Sequence, residues 1–150
     1  MSNETEQDAA GPATADADRD SRALPRAILV RASADRRPGA QVEVTVDLQI
    51  DEKSFSASSE GIGHETIELR VAAEATIGAL HAAVGDERFQ LVGIKRLHAF
   101  DADVVLVALR ERAEGGQRFI GAVPVRSTLI HAAAAAVLDA TNRILTGSAG

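Results

Sequence analysis

The second half of the chain repeats the first. Ala40-Gln41-Val42-Glu43-Val44-Thr45-Val46-Asp47-Leu48 returns loosely as Ala102-Asp103-Val104-Val105-Leu106-Val107-Ala108-Leu109. Phe55-Ser56-Ala57 has a counterpart in Phe119-Ile120-Gly121. The alanine-rich run from Ala72 to Leu80 returns at Ala133 to Thr141. The starts of these pairs lie 62, 64 and 61 residues apart. Strands followed by a helix, occurring twice in one order, imply a duplicated unit with pseudo-twofold symmetry and a shared core. The expected class is therefore α+β: two tandem β-β-β-α repeats, with antiparallel sheets and helices on one face.

Within the first unit, Ala27-Ile28-Leu29-Val30 reads as a short strand, followed by a loop through Arg36-Arg37-Pro38-Gly39. Val42, Val44, Val46, Leu48 and Ile50 alternate with polar residues, the pattern of a strand with one wet face. Asp51-Glu52-Lys53 turns the chain into a hairpin partner carrying Phe55, Ala57 and Ser59. After Gly61-Ile62-Gly63, apolar residues three or four apart predict a helix from about Glu65 to Val84, ended by Gly85.

In the second unit, Phe89 to Phe100 reads as a strand, with a turn at Asp101-Ala102-Asp103. Val104 to Leu109 is nearly all apolar and is expected to be an interior strand buried on both faces. Arg118 to Val125 returns after Glu114-Gly115-Gly116, with Pro124 marking the strand end because it lacks a ladder donor. Ser127 or Thr128 is suited to cap a last helix that runs to about Leu145 and is closed by Gly147.

Residues 1–25 hold six acids, two arginines and few large apolar side chains, so they read as a disordered acidic tail. Residues 26–150 are the duplicated domain. Arg26, Arg31, Arg36 and Arg37 form a basic cluster that is expected to neutralise the tail. The formal net charge is −6 and there is no Trp or Tyr, which argues against nucleic acid as a partner. No apolar run of about 18 residues is present, so no membrane span is expected, and the N-terminus has no signal-peptide pattern, which favours a cytoplasmic location. Cysteine is absent, which excludes disulfides and thiol catalysis.

Catalytic motifs are also lacking. His64, His81, His98 and His131 have no ligand spacing, and there is neither a Gly-x-Ser-x-Gly elbow nor a phosphate-binding loop. No catalytic residue, metal or cofactor is expected. The candidate binding residues are instead at the two helix starts: Gly61, Gly63 and His64 before the first, Arg126, Ser127 and Thr128 before the second. Unpaired helix N–H groups there suit a carboxylate, and Arg126 adds a cation.

Three segments resemble the C-terminal regulatory domain of 2-isopropylmalate synthase: Glu60-Gly61-Ile62-Gly63, the Val104–Leu109 run with Phe119-Ile120-Gly121, and the alanine-rich helix from His131 to Asn142-Arg143. The resemblance spans roughly residues 40–146. It implies two β-β-β-α units serving leucine feedback and contact between subunits. It does not imply synthase activity, since the catalytic barrel is missing. The expected function is a non-catalytic regulatory or metabolite-binding module that forms a homodimer, with a small carboxylate or amino acid as ligand. The alternative is a small scaffold that binds a protein partner and no metabolite.

Overall fold

The computed structural model describes residues 26–147; the expected acidic tail of residues 1–25 lies outside them. Strands β1 (Ala27–Arg37), β2 (Gln41–Ile50) and β3 (Lys53–Ile62) precede helix α1 (Glu65–Val84). Strands β4 (Phe89–Ala99), β5 (Ala102–Glu111) and β6 (Arg118–Pro124) precede helix α2 (Leu129–Gly147). Each unit is an antiparallel meander with its second strand in the middle, and the two sheets stay separate. The expected duplicated β-β-β-α architecture is present.

The duplication is closer in space than in sequence. The nine buried positions of α1, from Leu69 to Leu80, displaced by 61 residues, are the nine buried positions of α2 from Ile130 to Thr141. The same displacement carries Val44, Val46 and Leu48 of β2 onto Val105, Val107 and Leu109 of β5, all fully buried. A displacement of 62 at that strand would bring Leu106 and Ala108 to the core, because side chains alternate faces with period two. Burial thus settles the strand register that the loose sequence match leaves open.

Both first strands carry an irregularity one turn of pleat from their start. In β1 the register shifts between Leu29 and Arg31, and in β4 between Leu91 and Gly93. Each bulge swings a valine outward, Val30 or Val92, and changes which residues face the core. Leu29 points inward before the bulge, and Ala32 and Ala34 point inward after it. The short strand expected at Ala27 to Val30 is therefore the first third of an eleven-residue strand. Beyond Val30 the alternation changes phase, which hides the strand from a period-two reading.

The core is built from small side chains held close. α1 lies on β2 and β3, α2 lies on β5 and β6, and the helices touch each other. A Cβ on Gly121 would overlap the Ala136 carbonyl oxygen and come within 2.8 Å of the Ala140 nitrogen, so β6 and α2 meet almost backbone to backbone. In the first unit the corresponding contact is Gly78 on the helix against Ala57 on the strand. Buried Thr76 and Thr141 return their hydroxyls to helix carbonyls, Ala72 at 2.8 Å and Val137 at 3.1 Å, which leaves neither polar group unpaired.

The helix ends follow local chemistry. Gly85 adopts a left-handed conformation at φ 92 and donates its N–H to His81 carbonyl at 2.8 Å. Thr128 caps α2, its Oγ1 accepting from the His131 N–H at 3.0 Å. Pro124 ends β6 as expected.

One expectation needs correction. β5 is central in its sheet, yet only one of its faces is buried; Val104, Leu106 and Ala108 remain partly open on the other. The helix layer covers a single side of each sheet, so an apolar run on a middle strand is not matched by a second layer within the chain.

The glycine contacts predict a split outcome. Gly121→Val should destabilise the protein by about 3 kcal/mol, since neither backbone it would strike can yield. Gly93→Ala, with open space around its Cβ position, should change stability by less than about 1 kcal/mol. Urea unfolding of the two variants measures both.

Candidate functional site

Both helix starts lie at the same end of the molecule, linked through β4 and β5. Arg96 of β4 reaches Glu65, in the first turn of α1, at 3.3 Å, and its other nitrogen stands 4.0 Å from Asp103. His98 Nδ1 is 3.0 Å from the second carboxylate oxygen of Asp103. The backbone carbonyl of Asp103 accepts the Val125 N–H at 2.8 Å, just ahead of α2. A chain of polar contacts from Glu65 to Val125 thus spans the gap between the two expected binding turns. Arg96 and His98 were not among the sequence candidates; they lie on a strand whose bulge obscures which face they take.

The six candidate residues differ in what the fold already asks of them. Gly61 and Gly63 make room for α1: a Cβ on Gly61 would come within 2.7 Å of Val71, and one on Gly63 would overlap Ile67. Gly63 also sits at φ 150 and donates its N–H to the Ala40 carbonyl at 2.9 Å. His64 is exposed and occupies the N-cap without a side-chain cap bond. Thr128 spends its hydroxyl on the α2 cap, while Arg126 and Ser127 are exposed.

The two helix starts are electrostatically unlike. Glu65 and Glu68 stand in the first turn of α1, where they complement the positive end of the helix dipole. Arg36 of β1 grips Glu68 with two parallel bonds, both 2.9 Å, and holds its carboxyl below the usual range. The first turn of α2 contains no acid. Of the two turns, the Arg126–Thr128 turn is the one whose dipole is not already matched by a carboxylate.

The basic cluster expected to neutralise the tail is largely engaged inside the fold. Arg31 pairs with Asp47 at 3.1 Å, Arg36 with Glu68, and Arg37 with Asp35 and Glu43, each at 3.1 Å. Apart from Arg37–Asp35, which lies within β1, these pairs tie β1 to β2 and to α1.

At the opposite end of the helices lies a cavity of about 210 Å3 between the two units. Ala27, Ile50, Phe55, Leu80, Val84 and Phe89 are among its apolar walls, with Asp51 and Lys53 also on the lining. Two of its wall pairs are equivalent under the duplication: Ala27 with Phe89, and Leu80 with Thr141. The cavity therefore forms where the pseudo-twofold brings matching positions together. None of the sequence candidates lines it. Its walls come from six elements and a turn, a convergence that a linear pattern cannot display.

The ends of the cavity are held by a reciprocal pair of bonds. The Phe89 N–H, first in β4, donates to His81 Nε2 of α1 at 3.0 Å. The Ala27 N–H, first in β1, donates to Asn142 Oδ1 of α2 at 3.3 Å, and Asn142 Nδ2 returns a bond to the Ala27 carbonyl at 3.4 Å. Each helix thus holds the first strand of the other unit.

Among the described residues, no group of three or more His, Cys, Asp or Glu side chains is placed to hold a metal ion. No helix there is long and apolar enough to cross a membrane.

His81 makes this junction sensitive to pH. Burial lowers its pKa below the ordinary 6.5, and the Arg112 charge adds to that, against the opposing pull of Glu87 and Asp86. The bond from Phe89 also needs an unprotonated Nε2. Between the lowered folded value and 6.5 the unfolded chain binds more protons, so His81 contributes its full stability above about pH 6.5 and loses it on acidification. The melting temperature should fall as pH drops from about 7.5 toward 5.5, and His81→Gln should flatten that slope. Asp47 and Glu68, both lowered from carboxylate values near 4, act in a more acidic window. Calorimetry across this range checks the sign.

Comparison of the chain with protein-family models and with curated proteins finds no match.

Proposed function

We propose that this protein is a non-catalytic regulatory module that binds a small metabolite and self-associates. The observation that carries the metabolite reading is the cavity at the junction of the two repeats. It is concave, mostly apolar, and formed by both units, so a bound molecule would hold them together. Lys53 and Asp51 beside it offer one charge of each sign, which suits a small carboxylate or amino acid with an apolar tail. The volume of about 210 Å3 suits a small guest. The resemblance to the regulatory domain of 2-isopropylmalate synthase points toward the same class of role.

A second anion position belongs to the same reading at the far end of the helices. There Arg126 stands beside a helix start with no acid in its first turn. The dipole favours a carboxylate by about 0.3–2 kcal/mol, and a guanidinium bond adds about 1.5–3 kcal/mol. Gly61, Gly63 and His64 at the other helix start face two carboxylates and are the weaker half of this pair.

The scaffold reading competes through one observation, the uncovered apolar face of the second sheet. Both readings need a partner there, and only the metabolite reading needs the cavity.

Thermal melting in the presence of amino acids and short organic acids separates the alternatives. A ligand that binds the native state raises the midpoint by mass action, equivalent to about 2.7 kcal/mol at a hundredfold excess over Kd. Ala83 also lines the cavity, so Ala83→Phe, which fills it, should abolish the shift while Arg126→Ala keeps it. The reverse result would place the ligand at the start of α2. No shift with any compound would remove the metabolite reading.

A further inference from the structure

The duplication provides an internal comparison: two sheets of one design, each with one face under a helix and one face bare. Their bare faces differ in kind. Along the middle of the first sheet, on β2 and the facing positions of β3, the outward residues are polar and bonded to one another, and apolar Ile28, Val30 and Ile62 are exposed only at its margins. Thr45 and Ser58 hydroxyls meet at 2.8 Å, and Asp47 accepts from Ser56 at 2.6 Å and from Arg31 at 3.2 Å. Ser56 holds Asp47 below the usual carboxylate range, with Arg31 assisting. The middle of that face is finished for water.

On the second sheet the equivalent positions are apolar. Leu97 and Val104 face each other across β4 and β5, and Leu106 with Ala122, and Ala108 with Ile120, across β5 and β6. Ile120 is 48% exposed and Leu97 38%. At one end of this face the β4–β5 turn carries Phe100, fully exposed and at φ 53, a backbone state that disfavours a bulky residue. The single charge within the field is Lys95, on an edge strand from which its amine reaches water.

We propose that the outer face of the second sheet is where a second copy of this chain docks, sheet against sheet about a twofold axis near Leu106. This rests on the self-association put forward above and assigns it a surface. Three arguments favour a second copy as the occupant. First, the face is apolar along its length and so complements itself, as an isologous contact requires. Second, its ends are oppositely charged. Arg110 and Arg118 stand directly opposite each other at one end, a like-charge pairing that is unfavourable alone. Asp101 lies at the other end, about 30 Å away along the strand. An antiparallel copy sets the Asp101 turn of each chain over the arginines of its partner. Third, three strands of seven to eleven residues give a footprint roughly 14 Å by 30 Å, and side chains on a pleated surface bring this near the lower range of specific interfaces. The chain's own N-terminal 25 residues suit the face poorly, because their large apolar side chains are few.

Sedimentation equilibrium of the full chain at 10–100 µM, with designed variants, tests this. The wild type should be a dimer. Leu106→Glu combined with Ile120→Glu should raise the dissociation constant at least about a hundredfold with an unchanged far-ultraviolet spectrum, whereas Thr45→Glu on the first sheet should leave the dimer intact. A second measurement does not depend on the folding of a charged variant. The chain has no cysteine, so a single Ala108→Cys or Thr45→Cys is a unique attachment point. Facing sheets stack about 10 Å apart and Ala108 lies two residues from the axis, which sets its two copies roughly 15 Å apart, so a bismaleimide of about that span should couple the Ala108→Cys variant into dimers and leave the Thr45→Cys variant uncoupled. A wild type that is monomeric at 100 µM overturns both this proposal and the self-association beneath it. A dimer that survives Leu106→Glu with Ile120→Glu, or that crosslinks through Thr45→Cys and not Ala108→Cys, overturns this surface and leaves self-association standing.

Discussion

The structure depends on an exchange: each helix covers its own sheet and also holds the first strand of the other unit. α1 packs against β4, and α2 packs against β1. The His81 bond to Phe89 and the Asn142 bonds to Ala27 fasten those crossings at equivalent places. A lone unit would leave one helix flank bare and the first strand without its outer support. The nine-position match between the buried faces of α1 and α2 follows from this, since both helices meet the same set of surfaces: a home sheet, a foreign strand and the other helix.

Small residues make the exchange sterically feasible. Nine of the buried positions in the two helices are alanines on the faces that meet sheet or helix, and Gly121 lets β6 approach the α2 backbone. Interiors gain stability from contact density, and close backbone approach supplies it where aromatic side chains are scarce. The arrangement leaves little tolerance for added volume at the crossings. It leaves more at the cavity, where matching positions of the two units fail to fill the space between them.

Much of this was legible in the chain, for identifiable reasons. The limits of α1 are readable because apolar spacing, Gly61 to Gly63 and Gly85 agree with one another, and β6 ends at Pro124 because proline has no ladder donor. β1 was legible only to Val30, since the bulge there reverses which residues face inward. β5 suggested burial on both faces because composition records apolarity and not what covers it. The candidate turns at Gly61–His64 and Arg126–Thr128 are recognisable as helix starts; that two of their glycines make room for Ile67 and Val71 depends on contacts across the fold. The cavity was not legible, because Ala27, Leu80, Phe89 and Thr141 converge only through the duplication.

The two repeats form one cooperative structure, interlocked because each helix holds the first strand of the other unit. Native-state hydrogen exchange on the intact chain tests it most directly, by following the amides of Val44 and Val46 in β2 against Val105 and Val107 in β5. Interlocked units open only together, so all four amides should exchange with the same free energy, equal to that of global unfolding. If β2 and β5 exchange with free energies that differ by more than about 1 kcal/mol, the units open independently and the account is contradicted.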